Sequence, residues 1–256
     1  MPVVERDRKG HVEILTINRP EARNAINGEV TASLSEAFDE IADSEDAWVV
    51  ILTGAEDKAF SAGMDLKAFA AGEGAAIVGA KGGFAGIVQR DFPKPIIAAV
   101  NGSALGGGCE IALACDLVVA AEHATFGIPE VKRGLIAGAG GLIRLQRRIP
   151  LAFALELSMT GEPVTASRAR ELGLVNRVVP ADRLMDEAIG LANTIAENAP
   201  LAVRWSKKVI RESLYMTEEE GWKLNSEAAG VVFTSADAME GPIAFAEKRK
   251  PNWQGK

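Results

Sequence analysis

Apolar residues recur along this chain at two spacings, and the two alternate. Runs with every second residue apolar, or with no polar break, fall at His11–Asn18, Val49–Thr53, Ile96–Val100, Leu117–Ala120 and Leu174–Val179, and these predict strands. Between them, Val30, Leu34, Ala37, Phe38 and Ile41 mark one face of a helix over Glu29–Ala42, with Asn27 placed to cap it. The alternation predicts an α/β fold. Past Ala181 the strand signal fades: Leu184, Ala188, Leu191, Ala192 and Ile195 share a helical face, and Pro200 opens a further helix. One core followed by a helical tail is the expected organisation.

Three turns carry a similar signature. Thr53-Gly54 leads to Phe60-Ser61-Ala62-Gly63, Asn101-Gly102 leads to Gly106-Gly107-Gly108, and Ala120-Ala121 leads to Phe126-Gly127-Ile128-Pro129-Glu130. They read as loosely repeated strand–turn–helix units. The stretch Ala70–Gly86, with Gly72, Gly74, Gly79, Gly82, Gly83 and Gly86 among alanines, gives little helix support, and either a surface linker or a flap over a ligand fits it.

The triple glycine holds the densest chemistry. It exposes backbone N–H groups at the start of the apolar helix Ile111-Ala112-Leu113-Ala114, with Glu110 in the first turn. A helix start offers unpaired N–H groups and partial positive charge, which together stabilise an oxygen that turns negative during a reaction. The same glycines also permit close packing, and a first-turn Glu also serves as a cap.

Composition narrows the ligand. The chain has 256 residues, 48% of them hydrophobic, a formal net charge of −7 and a pI near 5.1. Such a balance argues against nonspecific nucleic-acid binding, which needs a basic face. Cys109 and Cys115 with only His11 and His123 form no metal-ligand pattern, so no metal is expected. Reduced cysteines, an N-terminus without a secretory apolar core and the absence of an apolar run of roughly 18 residues point to a cytoplasmic protein without a membrane span.

Taken in order, Asn18-Arg19-Pro20, Asn24-Ala25, Phe60-Ser61-Ala62-Gly63-Met64-Asp65-Leu66, the triple glycine, Phe126-Gly127-Ile128-Pro129-Glu130, Gly173-Leu174-Val175 and Phe245-Ala246-Glu247-Lys248-Arg249 resemble the crotonase superfamily, nearest the enoyl-CoA hydratases. No Gly-x-Gly-x-x-Gly fingerprint or Gly-Lys-Ser/Thr phosphate loop stands in the chain, so neither nicotinamide nor ATP is expected. The resemblance implies a crotonase-like ββα spiral core over residues 1–195. It also implies a helical C-terminal region, 196–256, that builds a homotrimer or a homohexamer made of two trimers. Its shared chemistry holds a thioester enolate between two backbone N–H groups, matched here to Ala62 and Gly107. It assigns Glu110 and Glu130 to one water as base and acid, and gives the Gly138 N–H a part in holding that water. No permanent cofactor is implied. Coenzyme A arrives as part of an acyl-CoA substrate, with Arg23, Gly63, Met64, Asp65, Leu66, Lys67 and Lys248 joining Ala62 and Gly107 as its expected contacts, Lys248 from a neighbouring subunit.

The activity this implies is hydration of a trans-2-enoyl-CoA. Two departures bear on the acyl pocket: Ile128 stands where short-chain hydratases often carry Gln, and Ala137 where Pro often precedes the glycines. They leave room for a carnitinyl-CoA-type racemase or dehydratase. A double-bond isomerase fits less well, since one carboxylate suffices for it. A noncatalytic acyl-CoA binder has no use for two desolvated carboxylates.

Overall fold

A charged hairpin opens the chain. In the computed structural model, which describes residues 1–256, β1 (Val4–Lys9) turns at Gly10 into β2 (Val12–Ile17) and pairs with it antiparallel. The sequence Val-Glu-Arg-Asp-Arg-Lys has no apolar alternation, which is why β1 lies outside the strands predicted above. An edge strand needs little: Glu13 on β2 is buried to 2% exposure and is neutralised by Arg6 of β1 at 2.9 Å.

From β2 the sheet grows by parallel strands, β3 (Val49–Gly54), β5 (Ile96–Val100), β7 (Leu117–Ala121) and β10 (Arg177–Val179), in the order β1-β2-β3-β5-β7-β10. Both faces are covered, which explains the continuous apolar runs. Val12, Ile14, Val49, Ile51, Ile97, Ala99, Val119 and Ala121 face the helix Leu184–Ala196 through Leu184, Ala188 and Ala192. Leu15, Ile17, Val50, Leu52, Ala98, Val100, Val118 and Ala120 face the main core, together with the helix Gly28–Asp43. That helix starts at Asn27, whose side chain accepts the Val30 N–H, and buries Val30, Leu34, Phe38 and Ile41. Each large apolar side chain of this face contributes about 1.5–3 kcal/mol by leaving water.

Three of these strands, β3, β5 and β7, each hand the chain to a short partner in a second sheet. β4 (Ala59–Ser61), β6 (Ser103–Leu105) and β8 (Thr125–Gly127) pair in parallel, and β9 (Val164–Thr165) closes the edge antiparallel to β8. Strand, short strand and helical turn thus repeat three times, with the helix Gly107–Ala114 following β6. This is the ββα arrangement expected, a mixed α/β core followed by C-terminal helices.

Leu174–Val179 is only half strand. Gly173 (φ +90°) ends the helix Ala166–Leu172, and the N–H groups of Leu174 and Val175 bond back to the Ala169 carbonyl, so the ladder begins at Arg177. The tail forms the helices Pro200–Ser213, Glu218–Phe233 and Ala236–Ala246, the second opened by a Thr217/Glu220 capping box. Lys207 and Arg211 both reach Asp116, at 2.7 and 3.0 Å, and fasten the first of these helices to the strand layer. No helix is long and apolar enough to cross a membrane.

Candidate active site

Two loops from successive repeats meet where the short strands end. Gly108 sits so close to β4 that a Cβ there would lie 2.0 Å from the Ser61 carbonyl oxygen, and one on Gly63 (φ +86°) would lie 2.7 Å from the Gly107 nitrogen. Glycine is required at both for backbone to touch backbone. Gly108→Ala is therefore expected to cost about 1–3 kcal/mol by overpacking, read as a lower urea midpoint in equilibrium unfolding.

Which N–H groups remain free decides what this contact can bind. The Ala62 N–H donates to the Arg23 carbonyl at 3.0 Å, and the Gly63 N–H donates to Ser61 Oγ at 3.1 Å. By contrast, the N–H groups of Met64 and Gly107 have no acceptor within the chain. Ala62 is thus corrected as an oxyanion donor: its N–H is already committed. The free pair is Met64 and Gly107, both on the wall of a cavity of about 630 Å³.

Glu110 and Glu130 line that same cavity. Glu110, at 3% exposure in the first turn of the helix Gly107–Ala114, accepts the N–H groups of Ala139 (2.8 Å) and Gly141 (2.7 Å) on one oxygen, Oε1. Oε2 takes no protein partner. Glu130 stands in the helical turn Pro129–Arg133, and its Oε2 is buried without any hydrogen-bond partner. An orphaned buried acceptor costs about 1–3 kcal/mol, and such a group in a native fold calls for an explanation. Burial lifts the Glu110 carboxyl above its ordinary range, opposed by the Gly141 and Ala139 N–H bonds and reinforced by the Glu130 charge. Burial likewise lifts Glu130.

The remaining expected contacts divide. Arg23, Met64, Leu66 and Gly138 lie on the cavity wall, while Gly63, Asp65, Lys67 and Lys248 do not. Gly138 reaches the wall, but the N–H groups that hold Glu110 belong to its neighbours Ala139 and Gly141. Asp65 works through its side chain, which pairs with Arg19 at 3.0 Å and caps the turn Leu66–Ala68. Ile128 is packed in the main core at 2% exposure and Ala137 is buried there at 7%, so neither shapes the wall.

The glycine-rich stretch settles as wall rather than linker. Phe69, Val78, Gly83, Phe84, Val88 and Gln89 line the cavity, and Ile77, Phe84, Ala85, Ile87 and Val88 are buried. Phe84 within it and Phe69 just before it were the available signal, set too far apart to show a helical face. Leu105, Leu135 and Ile136 complete the apolar lining.

A second cavity, about 550 Å³, opens between Arg90–Pro93 and the helix Pro200–Ser213. Three of its five cations are paired with carboxylates within the fold, Arg90 with Asp39 and Lys207 and Arg211 with Asp116, while Arg204 donates to the Gly255 carbonyl and Lys208 lies over the Trp205 ring. No group of three His, Cys, Asp or Glu stands together as a metal site. Cys109 and Cys115 are free and buried, each thiol pushed up to about 12 by burial.

Free N–H groups on glycine-built loops, set against two carboxylates in a ββα spiral, define a crotonase-type lyase. Comparisons with known proteins agree: the family profile described as enoyl-CoA hydratase/isomerase matches residues 7–256, and the chain belongs to that family. It is 44% identical over 253 residues to the carnitinyl-CoA dehydratase of Salmonella arizonae, and 43% over 255 residues to that of Proteus mirabilis, each covering 97% of both chains. Among solved structures, an enoyl-CoA hydratase from Mycobacterium tuberculosis H37Rv superposes with TM-score 0.96 at 48% identity. A carnitinyl-CoA hydratase from Mycobacterium avium does so at 0.79 and 46%, both over 100% of each chain.

Proposed function

We propose that the chain adds water reversibly across the 2,3 double bond of a trans-2-enoyl-CoA thioester, with a neutral acyl chain as its main substrate. One observation carries this reading: Glu110 and Glu130 each present an oxygen with no protein partner to the cavity that also receives the free N–H groups of Met64 and Gly107. The thioester oxygen lies between those N–H groups. Glu110, ionised, takes a proton from water as the water oxygen bonds to C3, and the π electrons move onto the thioester oxygen as an enolate. Glu130, protonated, then delivers its proton to C2; exchange with solvent returns a proton to Glu130 and removes the one on Glu110, and the reverse sequence expels water. No permanent cofactor takes part.

Leu66, Phe69, Leu105, Leu135 and Ile136 on the wall suit an apolar acyl chain. The competing reading, dehydration of carnitinyl-CoA, is favoured by the names of the curated relatives. Initial rates on crotonyl-CoA and on carnitinyl-CoA separate the two: a higher kcat/KM on crotonyl-CoA is expected, and a preference for carnitinyl-CoA overturns the neutral-chain assignment. Turnover of neither, with tight acyl-CoA binding, would make the protein a binder.

Coenzyme A is assigned to Arg23, which lines the cavity, together with Lys67, one residue beyond the lining Leu66, and Lys248, which like Lys67 is off the wall, from a neighbouring copy. Assembly into a homotrimer or two stacked trimers through the region 196–256 accounts for Trp222, Phe233 and Phe245, which are 62%, 77% and 86% exposed on its helices.

Both carboxyls titrate above the ordinary 4.5 because burial disfavours their charged forms. The proposed reaction needs one ionised and one protonated, so kcat/KM is expected to be bell-shaped in pH with both limbs above 4.5, the pair titrating as a unit. A profile flat from pH 4.5 to 8 would remove this pair from the mechanism.

A further inference from the structure

We infer that Arg144 is a positioning residue for Glu110, joining the loop that orients this carboxylate to the segment that walls the cavity. The inference rests on the reading of Glu110 as the base. The side chain leaves the first turn of the helix Gly141–Arg148 and turns back over its N-terminus. There Nη1 donates to the Ala139 carbonyl at 3.2 Å, and Nη2 donates to the Val88 carbonyl. Ala139 and Gly141 are the two residues whose N–H groups hold Glu110 Oε1. The peptide unit between Ala139 and Gly140, whose carbonyl Arg144 holds, lies between those two donors, so its orientation fixes both.

Val88 also lines the cavity, 2% exposed, two residues past the glycine-rich stretch Ala70–Gly86. Only one side chain spans these two carbonyls, and a planar guanidinium suits the task because its donors diverge at fixed angles. Gly140 (φ +96°) leaves it room: a Cβ there would sit 2.2 Å from Arg144 Nη1. Ala or any larger residue at 140 would push the guanidinium off the Ala139 carbonyl.

The charge matters as well as the fork. The charged groups acting on Glu110 are Glu130 and Arg144, and those acting on Arg144 are Glu110, Arg147, Arg148 and Arg211. Arg144 is the cation that opposes the upward pull of burial on Glu110. Arg147 turns away over the Tyr215 ring, and Arg148 bonds the carbonyls of Leu113 and Cys115, so neither replaces it.

The test measures kcat, KM and the acid limb of the pH profile on crotonyl-CoA for Arg144→Gln and Arg144→Lys, each alone and in a Glu110→Gln background, alongside thermal melts. Arg144→Gln is expected to lower kcat by about 10–100-fold, the scale of an angstrom-level misplacement. KM should stay within about threefold of the parent, because Arg144 touches no substrate. The acid limb should move to higher pH. Arg144→Lys, which keeps the charge and the stem, should leave the acid limb in place yet still lose about fivefold or more in kcat, since an ammonium does not reproduce the fork. Neither change should lower the residual rate of Glu110→Gln further, the non-additivity of residues acting through one group.

A folded Arg144→Gln with parental kcat and acid limb overturns the inference. So does a parental kcat in Arg144→Lys should the Gln variant fail to fold, and so does full additivity with Glu110→Gln. A Glu110→Gln enzyme that keeps its activity would instead sink the reading of Glu110 itself, a distinguishable result.

Discussion

Glu110→Gln and Glu130→Gln each lower kcat for crotonyl-CoA hydration by about 10²–10⁴-fold, the range for losing a general acid or base, while the protein stays folded. Gln keeps the shape at both sites. At position 110 its carbonyl oxygen still accepts the Ala139 and Gly141 N–H groups, which the parent holds at 2.8 and 2.7 Å, so the loop keeps its course and only the proton-accepting oxygen is lost. KM therefore changes little.

Stability moves the other way, and the sign follows from the direction of the shifts. A carboxyl whose folded pKa is raised favours folding most when protonated. The penalty sets in as pH climbs past the unfolded value and is complete above the folded one. At pH 7 both raised carboxyls penalise the native state, so neutral Gln is expected to leave Tm equal or higher. Initial rates from the loss of enoyl thioester absorbance, paired with thermal melts, check both halves. Near-parental turnover in either variant removes that carboxylate from the mechanism.

How much of this was legible in the residues depends on what each signal encodes. β2, β3, β5 and β7 declare themselves because both faces of the sheet are dry and their apolar runs are unbroken. β1 is silent, for a charged edge strand takes its structure from its partner. The second sheet is built of strands two or three residues long, too short for any periodicity, and appears in sequence only as the repeated glycine-bearing turns. Glu110 announces itself at a helix start. Glu130, after Pro129 in a short helical turn, looks like any first-turn carboxylate until the fold brings it to the same cavity.

Backbone donors are the least legible of all. Nothing in the side chains of Ala62 and Met64 distinguishes a free N–H from one already taken. The difference lies in the Arg23 carbonyl, which tertiary structure sets beside Ala62. For the same reason Arg144 passed unnoticed as one basic residue among several in Arg144-Leu145-Gln146-Arg147-Arg148, its role fixed by the carbonyls of Ala139 and Val88.

A backbone donor can nonetheless be deleted here, because Gly107 occupies the first position of its helix. Proline is accepted at that position: its ring has the dihedral the helix needs, and the missing N–H is one the helix does not use. Gly107→Pro therefore removes the N–H that the proposed mechanism aims at the thioester oxygen, without costing the helix a hydrogen bond. It does add a Cβ, which would lie 2.6 Å from the Phe84 ring, so the aromatic side chain must shift. Gly107→Ala adds the same Cβ and keeps the N–H, which makes it the control for that collision. The expected result is that Gly107→Pro falls below Gly107→Ala by about 10²–10³-fold in kcat, the cost of one oxyanion donor, with similar thermal melts for the two. Affinity for free coenzyme A, which has no thioester oxygen, should be equal in both. Equal kcat for the pair would mean that the enolate oxygen forms elsewhere, and the mechanism would then have to be rebuilt around other donors.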